Sequence, residues 1–593
     1  VPIGSRVPAR TTPSTPRTDA ARLAELEREK AALTERLHDT EASLERLRRA
    51  YTHALEQLQL MRRRIYVASA ERAEVDAAQL AFDAMFVQVQ SLSKALDAAA
   101  LAAGDEDGDD EGEKTKRKRK TPPTGRRDLA ETDLPVVRVE LTDPELEGTA
   151  ERIGFEESSR LGYERGGARR IVVARVVYKV AEPAAEPVAD APTVSEPTSE
   201  APPRIVTTPL PRELFRRALL APSMIAHVLV SKYLLGVPFY RLEQSFALQG
   251  FTLDRGTMSR YAEDVGATLG AIVEAARDEA MRTAFCLSTD ATGVRIQPGP
   301  LQERKRGPCH KGHFFVVLAD RDHVFFEYQE RHTSAAVCSM FKGYSGYLQA
   351  DAHAVYDALF AGRPPVGRPP DPEPAPPPKE VGCWSHCRRG FWEAAVCKQA
   401  IGVEGLRRID AIFAADRALA DLPPATRKLR REERVRPLVD AFFAWVEAES
   451  VVPRPRGYAT AALGYARNQV GPLRRFLEDG RLRLENNGSE RALQPVAAAR
   501  KSWLFFGSDD HASAAANLFS LVASCKLHRL DPESYLADVI RVMPYWPRER
   551  YLELAPRYWA DTRGRLDASE LARPLGHVTV PPPCATEQQA ATD

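Results

Sequence analysis

Near the start of the chain the apolar positions recur every seven residues. Stepping from Leu23 gives Leu23, Lys30, Leu37, Leu44, Tyr51, Leu58 and Ile65, and a companion seam runs Leu26, Leu33, Thr40, Leu47, Ala54 and Met61. Glu and Arg fill the flanks, so the pattern predicts a coiled coil within a helical N-terminal region, 20–103. A lone helix packed on its own protein is the alternative. The period then shortens to that of strands: VVRVEL and RRIVVARVVYKV predict a small β-rich module over 129–181. Over 212–278 three helices follow, with Pro238 opening the second, Gly250 breaking it and Thr252 or Asp254 capping the third. This trio has helix-turn-helix character, and its third helix would present Arg255, Ser259 and Arg260. Further on, FCLSTDATGVRI (285–296) predicts a strand, GYSGYLQADAHAVYDALF (343–360) a short strand ending at Ala350 and then a helix, and VGCWSHCRRGFWEAA (381–395) a strand running into a helix. Residues 401–483 read as helical throughout, rich in Arg and Glu with spaced Leu, Ile and Phe.

Composition alters this picture at three points. Residues 1–19 (Pro, Thr and Arg), 104–128 (DEDGDDEGE against KTKRKRK) and 182–211 (Pro and Ala) read as a disordered start, a charged linker and a second linker. The basic half of the charged linker either contacts a polyanion or is simply solvated. With 593 residues there is room for several domains, and the formal net charge of +1 means that any polyanion-binding surface must come from local segregation of charge. No apolar run reaches the roughly 18 residues of a membrane span. All eight cysteines lie from Cys286 onward without a disulfide-like framework, so a reducing cytoplasm is expected.

The candidate chemistry is densest in LENNGSERALQPVAAARKSWLFFGS, 484–508. Asn486, Asn487 and Ser489 precede Glu490, Arg491 follows it, and Arg500 and Lys501 arrive just before Trp503, Phe505 and Phe506. Asn487 and Glu490 have capping-box spacing, so the glutamate could simply close a helical turn. A basic and aromatic block on the far side of that helix is what a phosphodiester-handling site would add. Two further carboxylates stand upstream. Asp290 lies inside a strand-like run, where an acidic group is costly unless paired or metal-bound, although a turn between two short strands would also place it. Asp351 follows a short strand, where it could be a helix N-cap. Two Cys/His groupings, Cys383/His386/Cys387 and Cys309/His310/His313, lack the four paired ligands of a structural zinc site.

The 484–508 block resembles the C-terminal catalytic motif of the insertion-sequence-66 family of bacterial DDE transposases: an acidic residue, Asn-Asn, two variable positions, Glu-Arg-Ala-Leu, then Arg-Lys-Asn-Trp-Leu-Phe. Glu485 stands where that family usually has Asp, and Ser502 where it has Asn. Gly-Tyr-Leu-Gln-Ala-Asp at 346–351 resembles its second-aspartate motif, with His353 in place of the usual Tyr, and 381–389 resembles its Gly-Cys-Trp-Ala-His-Ala-Arg-Arg motif. Segments 61–85 and 520–546 resemble its N-terminal and closing segments. The resemblance implies an α/β multidomain chain with an RNase H-like core in two parts, 279–400 and 484–545, split by a helical insertion, 401–483, and followed by an extension and tail, 546–593. It implies Asp290, Asp351 and Glu490 as catalytic and metal-binding residues, with two Mg²⁺ or Mn²⁺ ions serving hydrolysis and strand transfer. DNA contacts would come from Arg255, Arg260, Arg388, Arg389, Arg491, Arg500 and Lys501, with His386 and Asn487 as auxiliary residues. The partners implied are element ends and target DNA, a second copy through the coiled coil, and accessory proteins of the same element. The family's zinc module usually occupies the 129–181 region, and with no cysteine before Cys286 no zinc is expected. Two rivals stand beside this reading: a catalytically silent DNA-binding derivative, and an RNase H-like nuclease without strand transfer.

Overall fold

The computed structural model describes residues 134–164, 166–180, 204–215, 218–297, 308–363 and 376–583, together with Lys30 and Thr34. The coiled coil and the charged linker therefore lie outside the described residues, apart from the helical Lys30 and Thr34. The architecture is mixed α/β, as expected.

A four-stranded sheet comes first: β1 (Val136–Leu141), β2 (Glu151–Glu164), β3 (Gly167–Val180) and β4 (Arg204–Thr207). β3 is its centre, antiparallel to β2 along one side and flanked on the other by β1, parallel, and then β4, antiparallel. β4 corrects the linker read over 182–211. Its β-branched Ile205-Val206-Thr207 pairs with Val177–Lys179, supplying hydrogen bonds that a Pro/Ala linker would leave to water.

Helices α1 (Pro222–Tyr233), α2 (Phe239–Leu248) and α3 (Arg255–Thr283) follow. Pro222 sits in the first turn of α1, and Asp254 caps α3 by accepting from the N–H of Thr257 at 3.0 Å. The trio packs into the main core. α3 continues to Thr283 and buries Met258, Val265, Leu269 and Ile272 in the same hydrophobic core as the second sheet.

That second sheet contains β5 (Cys286–Ile296), β6 (His310–Ala319), β7 (His323–Gln329), β8 (Tyr347–Gln349) and β9 (Lys379–Val381), in the order β7-β6-β5-β8-β9. β6 is antiparallel to both β7 and β5; β8 and β9 run parallel to β5. Phe314 to Ala319 of β6 are all buried, as a strand covered on both faces requires. Between β7 and β9 lie α4 (Ser334–Met340) and α5 (Asp357–Phe360). After β9 come α6 (Trp384–Val396), α7 (Ala400–Arg417), α8 (Pro424–Arg434), α9 (Arg436–Val451), α10 (Tyr458–Asn468) and α11 (Val470–Arg474). Of these, Arg388–Asp410 and Ala448–Tyr465 cluster as a unit of their own.

Next, α12 (Asn487–Trp503) lies against β5 and β6, close enough that a Cβ on Gly488 would meet Leu318 Cδ2 at 2.8 Å. A tight turn ends it. Leu504 has φ 63° and ψ −47°, and the N–H of Phe505 donates to Trp503 O at 2.7 Å, a γ-turn of the strained hand. It delivers Phe506 to the end of β5, where its N–H donates to Arg295 O at 2.9 Å. α13 (Asp509–Leu527) then covers β7, with Ser520 and Ser524 Oγ accepting from the N–H groups of Phe326 (2.7 Å) and Val324 (3.0 Å) and so occupying the free edge of that strand. The closing helices are α14 (Pro532–Val542), whose cap is Asp531, α15 (Pro556–Gly564) and α16 (Ala568–Ala572). The C-terminal extension and tail are described through residue 583. Leu575 is buried with Val139, Ile171, Val173 and Ala221 on one face of the first sheet, which would otherwise expose those side chains.

Two buried cations bear on stability. Arg431 is fully buried: it pairs with Asp416 at 2.6 Å and donates to the carbonyls of Phe476 (2.8 Å), Asp479 (3.0 Å) and Leu482 (2.9 Å). Arg431→Leu leaves Asp416 with Arg427 (2.7 Å) but strands three carbonyls, and should cost about 3–5 kcal/mol in denaturant unfolding; a loss below ~1 kcal/mol would mean these groups find water. Lys232 is buried among aromatic rings, with Nζ 4.2 Å from the Phe239 centroid and 5.5 Å from that of Trp503, and burial lowers its pKa to about 8. The folded state thus gives up a proton between about pH 8 and 10.5 that the unfolded chain keeps, so stability rises with pH across that window. Lys232→Met should melt higher than wild type at pH 7, with the gap closing towards pH 10.5; a gap independent of pH would contradict a charged, poorly solvated Lys232.

Candidate active site

Strand register brings the two upstream carboxylates together. β5 and β8 pair in parallel through Cys286↔Tyr347, Leu287↔Leu348 and Ser288↔Gln349. Asp290 and Asp351 each follow that last pair by two residues, on neighbouring strand paths that in a sheet run about 4.8 Å apart. Asp290 lies within an unbroken strand opposite Val316, which removes the turn alternative, and its Oδ1 accepts from the N–H of Ala291 at 2.7 Å. Asp351 is not an N-cap. The helical turn after β8 begins only at Ala354, and its cap is His353, which accepts from the N–H of Val355. Both aspartates act on Tyr356: burial first raises the pKa of its phenol, Thr289 opposes that, and the charges of Asp351 and Asp290 add to the rise.

The third carboxylate arrives on α12. The helix is capped at Asn486, not Asn487, so Glu490 stands one position beyond the capping-box site. Asn486 is buried, and its side chain spans to β5, where Nδ2 donates to Thr289 O, next to Asp290, at 2.7 Å; its N–H donates to Cys383 Sγ at 3.3 Å. Glu490 Oε1 lies 4.0 Å from His386 Nε2 on α6. Around it, Ser385 Oγ donates to Glu485 Oε2 at 3.2 Å, and the buried Gln349 donates to Arg483 O at 3.0 Å. Asn486 and Gln349 are positioning residues that sequence reasoning missed. Their only signal is being amides beside the motif acids.

The expected basic residues divide into two groups. Arg255, Arg260, Arg389, Arg491 and Lys501 are exposed. Arg388 is engaged by Asp410 at 2.7 and 3.3 Å, and Arg500 Nη1 donates to Thr292 Oγ1 (2.9 Å) and Gly293 O (2.7 Å), fastening α12 to β5. Asn487 is half-buried in the first turn of α12. The Cys/His groupings do not converge. His310 meets Asp509 at 3.1 Å while the His313 ring packs on His332, and Cys383 and Cys387 are buried thiols whose pKa burial raises.

For a divalent cation the donor set is chemically apt: three half-buried carboxylates, with Asn486 Oδ1 and Ser489 Oγ buried nearby without hydrogen-bond partners among the described residues. Among those residues, no group of three or more His, Cys, Asp or Glu side chains is drawn together closely enough to hold an ion.

Comparison with known proteins gives the family. Residues 217–514 match the Transposase IS66 family, residues 520–557 its C-terminal element, and residues 53–139 the transposase C segment described as the IS166 homeodomain. Three uncharacterized proteins of Sinorhizobium fredii (strain NBRC 101917 / NGR234) are similar. y4hP is 27% identical over 391 residues, y4qI 24% over 363 and y4jD 26% over 348, covering 60%, 59% and 57% of this chain. In each case the match spans 65% of the relative's own length. From residue 217, just before α1, to residue 557, at the start of α15, the matches cover most of the chain, which belongs to the IS66 transposase family.

Proposed function

We propose that the protein is a DDE transposase that cuts phosphodiesters at the ends of a mobile element and joins the freed 3′-hydroxyl to target DNA. The observation that carries this reading is the β5–β8 register, which sets Asp290 and Asp351 abreast, together with the Asn486 bond that brings the Glu490 helix to the same strand. The strand order β7-β6-β5-β8-β9, antiparallel then parallel, supports an RNase H-like core.

In this proposal Asp290, Asp351 and Glu490 hold Mg²⁺ or Mn²⁺, which when bound activates the attacking hydroxyl and stabilises the leaving oxygen. The chain's own residues do the positioning. His386 restrains the Glu490 carboxylate, and Asn486 fixes the first turn of α12 to the strand that carries Asp290. Exposed Arg255, Arg260, Arg389, Arg491 and Lys501 meet DNA phosphates. Arg388 and Arg500 contribute chiefly through the protein contacts they already make.

Glu490→Gln should abolish Mg²⁺- or Mn²⁺-dependent cleavage and joining on DNA carrying the element's ends while leaving DNA binding intact. Cleavage without joining in wild type would favour a nuclease, and binding with neither, a silent DNA-binding protein. Asn486→Ala should cost about 1–3 kcal/mol of stability for the buried carbonyl it abandons, and should lower the rate of cleavage more than DNA affinity. Equal losses of rate and affinity would place Asn486 outside site positioning.

A further inference from the structure

Beside the carboxylates lies a cleft of about 530 Å³ with a basic rim and an apolar floor. Arg321, Arg483, Arg491 and Lys526 form the rim; Leu318, Phe326, Pro495 and Phe519 belong to the floor. None of the four cations has an ion pair among the described residues. The one carboxylate in the lining, Asp320, is taken up by the N–H groups of Phe285 (2.8 Å) and Cys286 (3.0 Å). Arg483 is half-buried, and burial first, then Arg321, lowers its pKa, with Arg491 and Arg427 adding to the effect. A guanidinium held among like charges and partly out of water is stabilised by an incoming anion.

A second hollow, about 600 Å³, shares Leu318, Asp320, Arg321 and Arg483 with the first and extends to Ser288 and Gln349. Those two residues are the last β5–β8 pair, two residues short of Asp290 and Asp351, or about 7 Å along a strand. The two hollows therefore share the basic rim, and the second reaches the strand pair that precedes both aspartates.

We propose that the basic cleft holds the phosphodiester backbone of a single DNA strand, with a base or sugar on its apolar floor, and leads that strand to the carboxylates. This rests on the transposase reading for its substrate and adds a binding site of its own. Arginine forks match phosphate oxygens. An apolar floor beneath a cationic rim suits an unpaired nucleotide, whose faces are free to pack, better than a duplex, whose bases are stacked inside.

The test is anisotropy binding by the full chain in metal-free buffer containing EDTA, using a labelled single-stranded oligonucleotide, a blunt duplex of the same sequence, and polyphosphate as competitor. Arg321→Gln/Lys526→Gln replaces two exposed residues, so folding is not at risk. It should weaken single-strand binding about tenfold and reduce the slope of log K against log salt by about 0.7 per cation removed. Ala523→Phe, which fills the floor, should weaken the oligonucleotide but not displacement by polyphosphate. Wild-type affinity and slope in the charge variant would overturn the proposal, as would equal losses on single strand and blunt duplex. Glu490→Gln should bind the oligonucleotide like wild type. If that variant still cleaves DNA, the catalytic assignment fails while the binding result stands on its own.

Discussion

The site depends on how the segment Phe476–Asn486 is held, because it returns the chain from the helices after β9 to the strand carrying Asp290. Left free, a loop this far from its partner in sequence would lose considerable entropy on closing. The segment is instead fastened nearly residue by residue. Arg431 takes the carbonyls of Phe476, Asp479 and Leu482, Gln349 that of Arg483, and the Trp384 N–H that of Leu484; Asn486 then reaches Thr289. Each donor comes from a different element, so α8, β8, α6 and β5 must all be in place before Glu490 is. The third carboxylate is thus a readout of the assembled fold.

The same arrangement concentrates unfavourable terms where the chemistry is proposed. Asn486 Oδ1 and Ser489 Oγ, without hydrogen-bond partners among the described residues, are buried at a cost. A core built for stability alone would place apolar groups there. The strained Leu504 turn, at the other end of α12, belongs with these terms, since it forces Phe506 back onto β5 and fixes the helix from its far end as Asn486 does from its near end.

Much of this was legible in the sequence, for definite reasons. Asp290 lies in an alternating, β-branched run and Asp351 follows a short apolar strand, so periodicity located their elements, while the family resemblance singled out the two residues. The acidic helix declared itself through its flanking basic and aromatic residues. What periodicity cannot show is which residue a polar side chain will bond to. Asn486 and Asn487 are neighbours of identical type, and only the depth at which α12 seats on β5 makes the first the anchor. The same limit hid β4 and Leu575, short or isolated apolar positions that acquire meaning only against β3 and the face of the first sheet. For the helix trio the local caps and breaks are clear in the sequence, but its burial in the shared core is a tertiary fact.

Charge pairing explains how a chain of net charge +1 can still present a cationic face. Many arginines in the helices after β9 are matched close by: Arg388 with Asp410, Arg408 with Glu404, Arg436 with Glu432, Arg474 with Asp440. Such local pairs cancel at a distance and contribute little field beyond a Debye length. Arg321, Arg483, Arg491 and Lys526 are not matched in this way, and the low-dielectric floor beneath them concentrates what field they make. The distribution of partners, more than the number of basic residues, determines where a polyanion is drawn.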